Sequence, residues 1–350
     1  MNEAKLTLVF PCWHAAKHMG HVLEDIQAQT FKDFEVILVN DGDDSQMEAM
    51  EAVAAKDSRI RIVRLEKNSG VAAARNAGTD AAKTDWVTYP DPDDRFGSNY
   101  VQSLYEAADG TGVDLVCGGH TTIIVKKKEE QQHYIQIDSS SKVMDMASAY
   151  ELLFQSITST TSWNKLYSIP LMLENHLHQD ESFPICQDHA FNLVYFMYVK
   201  RVKLIKDCGY IYYDYPYGSK STSNNHLHLG VKIRIVNLLD HFYQHIGWTE
   251  QRIVSARQGY LVGVSVKLLK TLYNGKSGLT ISEKAKLIQM EVMDNKEVVN
   301  SILQFDFGYD RLGRMLQLLV RIGSSWIIAF SLSFFYSVKR CFYTIRERLQ

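Results

Sequence analysis

The sequence predicts an α/β fold: a mostly parallel sheet with helices on both faces, followed by a C-terminal helical region. Three observations predict it. Short apolar runs of strand length alternate with stretches of helical periodicity through the first third of the chain. Those runs stay apolar with little alternation, as strands buried on both faces require. From His226 on, helical periodicity dominates. At 350 residues the chain exceeds one average domain, which fits a principal domain with an appended region.

Taken in order, Leu6–Phe10 reads as the first strand, with Pro11 expected to end it. A helix follows over about residues 20–29. Phe34–Val39, Ile60–Leu65, Trp86–Tyr89 and Val113–Cys117 repeat the strand pattern, and Gln46–Ala55, Val71–Ala82 and Tyr100–Ala108 the helical one. In sheets of this kind ligands bind beyond the C-terminal ends of the strands. The polar stretches FPCWHAAKHM (Phe10–Met19), VILVNDGDDS (Val36–Ser45) and NSGVAAARNAG (Asn68–Gly78) fall at that edge.

Composition excludes some partners and compartments. Lysine plus arginine (38) nearly balances aspartate plus glutamate (40), so nothing points to nucleic acid. Five scattered cysteines without a C-x-x-C pair fit a reducing compartment better than a disulfide framework or a zinc site. The N-terminus enters a strand directly, without the pattern of a secretory signal, and a cytoplasmic location is expected.

Chemistry concentrates in DWVTYPDPDDRF (Asp85–Phe96), where Pro90 stops an apolar run and three carboxylates, Asp91, Asp93 and Asp94, follow within four residues. Such massed charge at a strand end calls for a hard cation, Mg²⁺ or Mn²⁺, which keeps waters and takes further ligands from a substrate's phosphates. A solvated turn is the plainer alternative, since Asp and Pro are ordinary turn residues.

Together with the three upstream stretches, this segment resembles glycosyltransferase family 2, the nucleotide-sugar enzymes of the GT-A fold, whose sheet is Rossmann-like. The family pattern runs P-x-x-N, D-D-G-S, N-x-G-x-x-x-A-R-N-x-G and D-x-D-D in that order, and NSGVAAARNAG matches almost letter for letter. The resemblance implies a nucleoside-diphosphate sugar donor, held by Pro11, Trp13, Asp41, Asn68, Gly70, Arg75, Asp91 and Lys220, with Mn²⁺ or Mg²⁺ on Asp91 and Asp93. Trp13 would pack on the nucleobase, Asp41 would accept from the uracil N–H, and Gly70 would let backbone pass closely. Core packing for Trp13, a plain turn at Asp41 and a surface position for Arg75 are the competing readings. His14 stands where the family has Asn, Asn40 where it has Asp, and Asp43 where it has Ser.

Residues 1–118 are accordingly expected to form the nucleotide half of a GT-A domain over 1–225, and 119–225 the acceptor half. Thr121–Lys126 and Tyr134–Ile137 extend the sheet, with Lys126–Gln132 as a solvated hairpin tip. SWNKLY (Ser162–Tyr167) resembles the family's W-N-K-L-Y; Lys165 there suits a donor phosphate or a structural ion pair. FPICQDHAFN (Phe183–Asn192) stands where relatives read E-D at a helix start, and the resemblance makes Asp188 the general base of an inverting transfer. Gln187 removes the neighbouring carboxylate; under the plainer reading Asp188 is a helix-terminal dipole partner. YIYYDYPYGSKSTS (Tyr210–Ser223) resembles a mobile loop over the donor in which Asp214 replaces Arg, leaving Lys220 for the diphosphate. The pairs His176/His178 and His226/His228 read as surface histidines.

In the region 226–350, Val231–Ile246, Thr249–Tyr273, Ser282–Met293 and Asp294–Leu303 read as helices. Ile322–Val338 runs seventeen residues without charge and is followed by Lys339, Arg340, Arg346 and Arg348. Against a bilayer core of about 30 Å the run is short, and it reads as an interfacial helix held on anionic lipid, with a buried helix as the alternative. The expectation is an inverting glycosyltransferase acting on a saccharide or lipid-linked acceptor, peripheral on the cytoplasmic face of the membrane, without nucleic acid. A sugar-phosphate nucleotidyltransferase is a weaker alternative, because PCWHAAKHMG makes a poor phosphate loop. A catalytically silent nucleotide-sugar-binding protein is the alternative from another class.

Overall fold

A computed structural model describes residues 3–126, 129–137, 142–155, 158–215, 229–273, 278–308, 310–334 and 336. The chain divides into two compact units, Met1–Ser219 and Lys220–Gln350. Each has its own apolar core.

The first unit opens with β1 (Leu6–Cys12), α1 (Met19–Ala28), β2 (Phe34–Asp41), α2 (Met47–Ala54), β3 (Ile60–Leu65), α3 (Val71–Ala81), β4 (Trp86–Thr88), β5 (Arg95–Phe96) and α4 (Tyr100–Ala108). It continues with β6 (Leu115–Lys126), β7 (Glu129–Ile135), β8 (Val143–Met144), α5 (Met146–Gln155), β9 (Lys165–Ser168), α6 (Ile169–Glu174), α7 (Gln187–Phe196) and β10 (Val202–Asp214). The sheet order is β3-β2-β1-β4-β9-β6-β10-β5, with β7 on β6 and β8 on β10. β3, β2, β1 and β4 are mutually parallel, as are β6 and β10. β9 runs antiparallel to both β4 and β6 and joins the two parallel blocks. Leu6, Leu8, Val9 and Phe10 of β1 are fully buried, which is why this central strand carries no alternation.

Several strands depart from their expected limits. β1 continues through Pro11, opposite Val39, to Cys12. Its pairing with β4 ends at Leu8, so on that side there is no ladder bond for a proline to lose. β6 does not stop at Cys117 but crosses Gly118 and Gly119 to Lys126. A Cβ on Gly119 would lie 2.1 Å from the Lys206 carbonyl oxygen, beside the register shift of β10 between Ile205 and Tyr210. Glycine lets the strand pass that irregularity unbroken. The β6–β7 ladder reaches Lys126 and Glu129, so the charged tip is shorter than Lys126–Gln132. Tyr210–Asp214, expected in a mobile loop, belongs to β10 and pairs with β6.

The second unit contains α8 (Leu229–His245), α9 (Glu250–Tyr273), α10 (Ile281–Ile288), α11 (Lys296–Gln304) and α12 (Arg311–Ile322), with a helical stretch over 325–334. Thr280 and Glu283 form a reciprocal capping box at α10. The uncharged run from Ile322 is not one helix, because Gly323 ends α12 in the left-handed conformation. Ile328, Ala329 and Leu332 then enter the core of this unit, so the segment is in part the buried helix that stood as the alternative. Among the described residues no helix is long and apolar enough to cross a membrane.

Candidate functional site

The acidic loop after β4 is braced from within. Asp94 is buried; one of its oxygens accepts from the Tyr210 hydroxyl at 2.8 Å and the other from the Tyr213 amide at 2.9 Å. Tyr210 also receives the Asp91 amide at 3.0 Å and lies flat on Trp163, ring centroids 4.4 Å apart. Burial pushes the Asp94 carboxyl well above its ordinary range, with Asp91 and Asp93 adding to the rise. Asp94 is thus a bracing residue, while Asp93 is exposed and Asp91 is 28% exposed. The loop is fastened to α1 as well: His21 Nε2 lies 2.9 Å from the Pro92 carbonyl oxygen, and Arg95 makes a bidentate pair with buried Asp25.

The centre of the site is a shared cation. Arg75, in α3, is 2% exposed; its Nη2 donates to Asp91 Oδ1 at 3.0 Å and its Nη1 to Asp188 Oδ1. Burial works against the guanidinium charge, but the two carboxylates outweigh it and hold Arg75 protonated. Asp91 is pushed up to about 6 by burial, opposed by Arg75 and reinforced by Asp188 and Asp93. Asp188 sits in the first turn of α7, where the helix terminus favours a negative charge. Its Oδ2 accepts no hydrogen bond among the described residues. Arg75 is therefore not a surface residue, and Asp188 and Asp91 meet on one guanidinium although 97 positions separate them.

The nucleotide-side residues are arranged differently from expectation. Asp41 ends β2 and is 3% exposed, its oxygens accepting from the Ser69 amide at 2.7 Å and the Gly70 amide at 2.9 Å. It holds the loop before α3 rather than standing open. Gly70 has no atom within 4 Å of a notional Cβ, but its φ of +94° selects glycine; conformation, not close passage, requires it. Asn68 is exposed in the same loop. Trp13 is half-buried, its ring 4.4 Å from that of His14, and is not a core aromatic. His14 takes φ +53°, and its amide and Nδ1 lie 3.2 and 3.0 Å from Asp43 Oδ2. Asn40 is fully buried and bridges Asp43 and Gln46, whose side chain reaches the Cys12 carbonyl at 2.8 Å. The departures at His14, Asn40 and Asp43 thus form one internal brace tying the β1 loop to the β2 loop.

On the acceptor side, Lys165 has no phosphate-facing role. It is fully buried, its ammonium donating to the carbonyls of Thr158 and Thr161 and to Asn164 Oδ1, and burial lowers it to about 8. His178 pairs with Asp80 at 2.8 Å on the surface. Lys220, His226 and His228 lie outside the described residues. Local sequence gave no sign of the Tyr210 brace, Gln46 or Asp25; each depends on contacts across 31 to 116 positions.

Two carboxylates, Asp91 and Asp93, remain to meet a divalent ion, since Asp94 is committed to its tyrosines. Among the described residues no group of three or more His, Cys, Asp or Glu side chains could hold one unaided. The pair nevertheless suits a hard cation that completes its shell with phosphate oxygens and water. Arg75 pairs with Asp91 and Asp188 while Asp93 stands exposed two positions from Asp91, so the carboxylates outnumber the guanidinium and leave negative charge that such an ion would balance.

The profile described as Glycosyl transferase family 2 matches residues 7–169, from β1 to the start of α6. The glycosyltransferase EpsJ of Bacillus subtilis is 28% identical over 248 residues, covering 69% of this chain and 70% of that one. The cholesterol galactosyltransferase of Borreliella burgdorferi is 24% identical, covering 92% of this chain and 93% of that one. The crystal structure of S. aureus TarS 1–349 in complex with UDP has a TM-score of 0.60 at 15% identity, over 96% of this chain and 92% of that one. The same protein with UDP-GlcNAc gives 0.60 at 16% identity. Those structures speak for the GT-A-like fold, and the sequence matches for the chemistry: residues 7–169 form a glycosyltransferase family 2 domain, and the chain is a glycosyltransferase.

Proposed function

We propose that the enzyme transfers a sugar from a UDP-linked donor to a hydroxyl of a saccharide or lipid-linked acceptor, inverting the anomeric centre, with Asp188 as general base. The observation that carries this reading is the single Arg75 guanidinium placing Asp188 beside Asp91. One oxygen of Asp188 is anchored, and the other is left to take the acceptor's proton. The acceptor oxygen then bonds to the anomeric carbon as the bond to the diphosphate breaks, and no protein nucleophile intervenes. Asp91 and Asp93 would hold Mn²⁺ or Mg²⁺, which when bound supplies charge neutralisation for the departing diphosphate. Trp13 offers an aromatic face to the nucleobase beside Pro11. Asp41 acts through the Ser69–Gly70 backbone that it fixes, with Asn68 presented by the same loop. Residues 1–225 form the catalytic region in this reading, with Lys220 a further diphosphate contact. Relatives named as a cholesterol galactosyltransferase and a teichoic acid polymerase support a lipid or polymer acceptor, and in this reading the enzyme works at the cytoplasmic face of the membrane.

Asp188→Asn tests the assignment. Transfer should fall by about 10² to 10⁴-fold while UDP affinity stays close to wild type. The N-cap of α7 is Cys186, so in a merely helix-terminal role Asp188→Asn would lose only a first-turn charge, about 0.3–1 kcal/mol of stability, and leave turnover intact. Near wild-type turnover in the variant, or a product of retained configuration from the wild type, would remove Asp188 from the mechanism.

A further inference from the structure

We propose that the C-terminal helices of the second unit form a docking face for an anionic lipid surface. In the helical stretch 325–334, Ser325, Ile328, Ala329 and Leu332 are buried. At 100° per residue these positions fill one arc of the helix. Trp326, Ile327, Phe330 and Phe334 fill the opposite arc and are 43% to 68% exposed. The helix is therefore apolar on both sides, and the protein covers only one of them. Ser331 and Ser333 lie between the two arcs, and the clustered exposed aromatics of the outer one mark a surface that something else covers.

Charge selects the occupant. α12 repeats the arrangement: Leu316 and Val320 are buried, while Arg314, Leu318, Arg321 and Ile322 are exposed, so cations share its outward face with apolar side chains. Between Asp310 and Glu347 the chain carries Arg311, Arg314, Arg321, Lys339, Arg340 and Arg346 and no carboxylate. Tryptophan and phenylalanine beside unopposed cations match the boundary between headgroups and acyl chains of an anionic leaflet. A second copy of the chain fits worse, because a two-fold contact would set this cationic face against itself. In this proposal the segment lies on the membrane; among the described residues no helix is long and apolar enough to cross one.

The face sharpens the membrane part of the proposed function but is independent of the transfer chemistry, so its test uses the full chain without donor, metal or acceptor. Sedimentation with vesicles of phosphatidylglycerol and phosphatidylcholine should show binding that weakens with salt and is lost on pure phosphatidylcholine. The triple variant Trp326→Ser, Phe330→Ser, Phe334→Ser should lose about tenfold or more in apparent vesicle affinity, with its melting temperature kept. Arg314→Gln with Arg321→Gln should weaken binding and flatten its salt dependence. Absence of binding at low salt, equal binding to neutral vesicles, or unchanged binding by the triple variant would each overturn the proposal. So would sedimentation velocity showing that the triple substitution dissolves a dimer while the wild type ignores vesicles. A failed transfer assay would bear on Asp188 and leave this face untouched.

Discussion

Asp91, Asp93 and Asp94 are adjacent in sequence yet have three different fates, and the difference is set by what surrounds each carboxylate. Asp94 turns inward to Tyr210 and Tyr213, Asp93 faces solvent, and Asp91 shares Arg75 with Asp188. Asp91 has a testable consequence. Its folded value of about 6 lies above the ordinary 3.8, so between those values the folded protein binds a proton that the unfolded chain does not. Below the window both states are protonated, and above it neither is. The contribution of Asp91 to stability therefore falls as pH rises across the window, and the whole penalty remains at neutral pH. Stabilisation by UDP with Mn²⁺, read as a shift in melting temperature, should be larger at about pH 7.5 than at about pH 5. Equal shifts at the two values would contradict an ionised Asp91 at the cation site. The acidic run was legible because like charges crowd within four positions. The separate role of Asp94 was not, because its partners arrive 116 and 119 positions later. Lys165 misled for a similar reason: a lysine in a family motif suggests a phosphate, and only its burial among carbonyl groups shows otherwise.

At the scale of elements, legibility followed burial. β1 and β2, enclosed on both faces, announce themselves as continuous apolar runs, and α3 starts where N-S-G marks it. Strand limits were less readable wherever a neighbour decides them, as at Pro11 in β1 and Gly119 in β6. The stretch 325–334 shows the same limit, for an uncharged run with apolar residues on both arcs gives no sign of which side faces inward. The two sides should answer differently to substitution. Leu332→Ala removes a side chain that is 1% exposed and should destabilise the second unit by about 2–5 kcal/mol. Phe330→Ser, on the exposed side, should change melting by little. Thermal melts of the two variants decide the matter, and equal losses would mean that the burial pattern is wrong.

Residues 1–219 make one compact unit, which the expected nucleotide and acceptor halves share. β4 is paired on one side by β1 and on the other by β9, which comes nearly eighty positions later. Residues 1–118 alone would leave that edge of β4 bare, and would leave Trp163 and Tyr210 missing from the core. Expressed alone, residues 1–118 should aggregate or fail to melt cooperatively, whereas residues 1–219 should fold. Circular dichroism and thermal melting of the two fragments check this, and a cooperative transition in the shorter one would show that the first half is autonomous.

The place of β10 in the sheet also bears on how the protein is made. Residues 91–94 leave the ribosome long before Tyr210 does, yet Tyr210 is the side chain that draws Asp94 inward and fixes the Asp91 amide. During synthesis Asp94 must wait more than a hundred further residues for the hydroxyl that draws it inward, while α1 and α3 can already hold the rest of the loop. The strands that bear the nucleotide-side loops can pair early, while Asp94 beside them takes up its place only near the completion of the first unit. A nascent chain arrested before β10 would therefore own most of its sheet and the ties of its acidic loop to α1 and α3, but not the bonds that turn Asp94 inward.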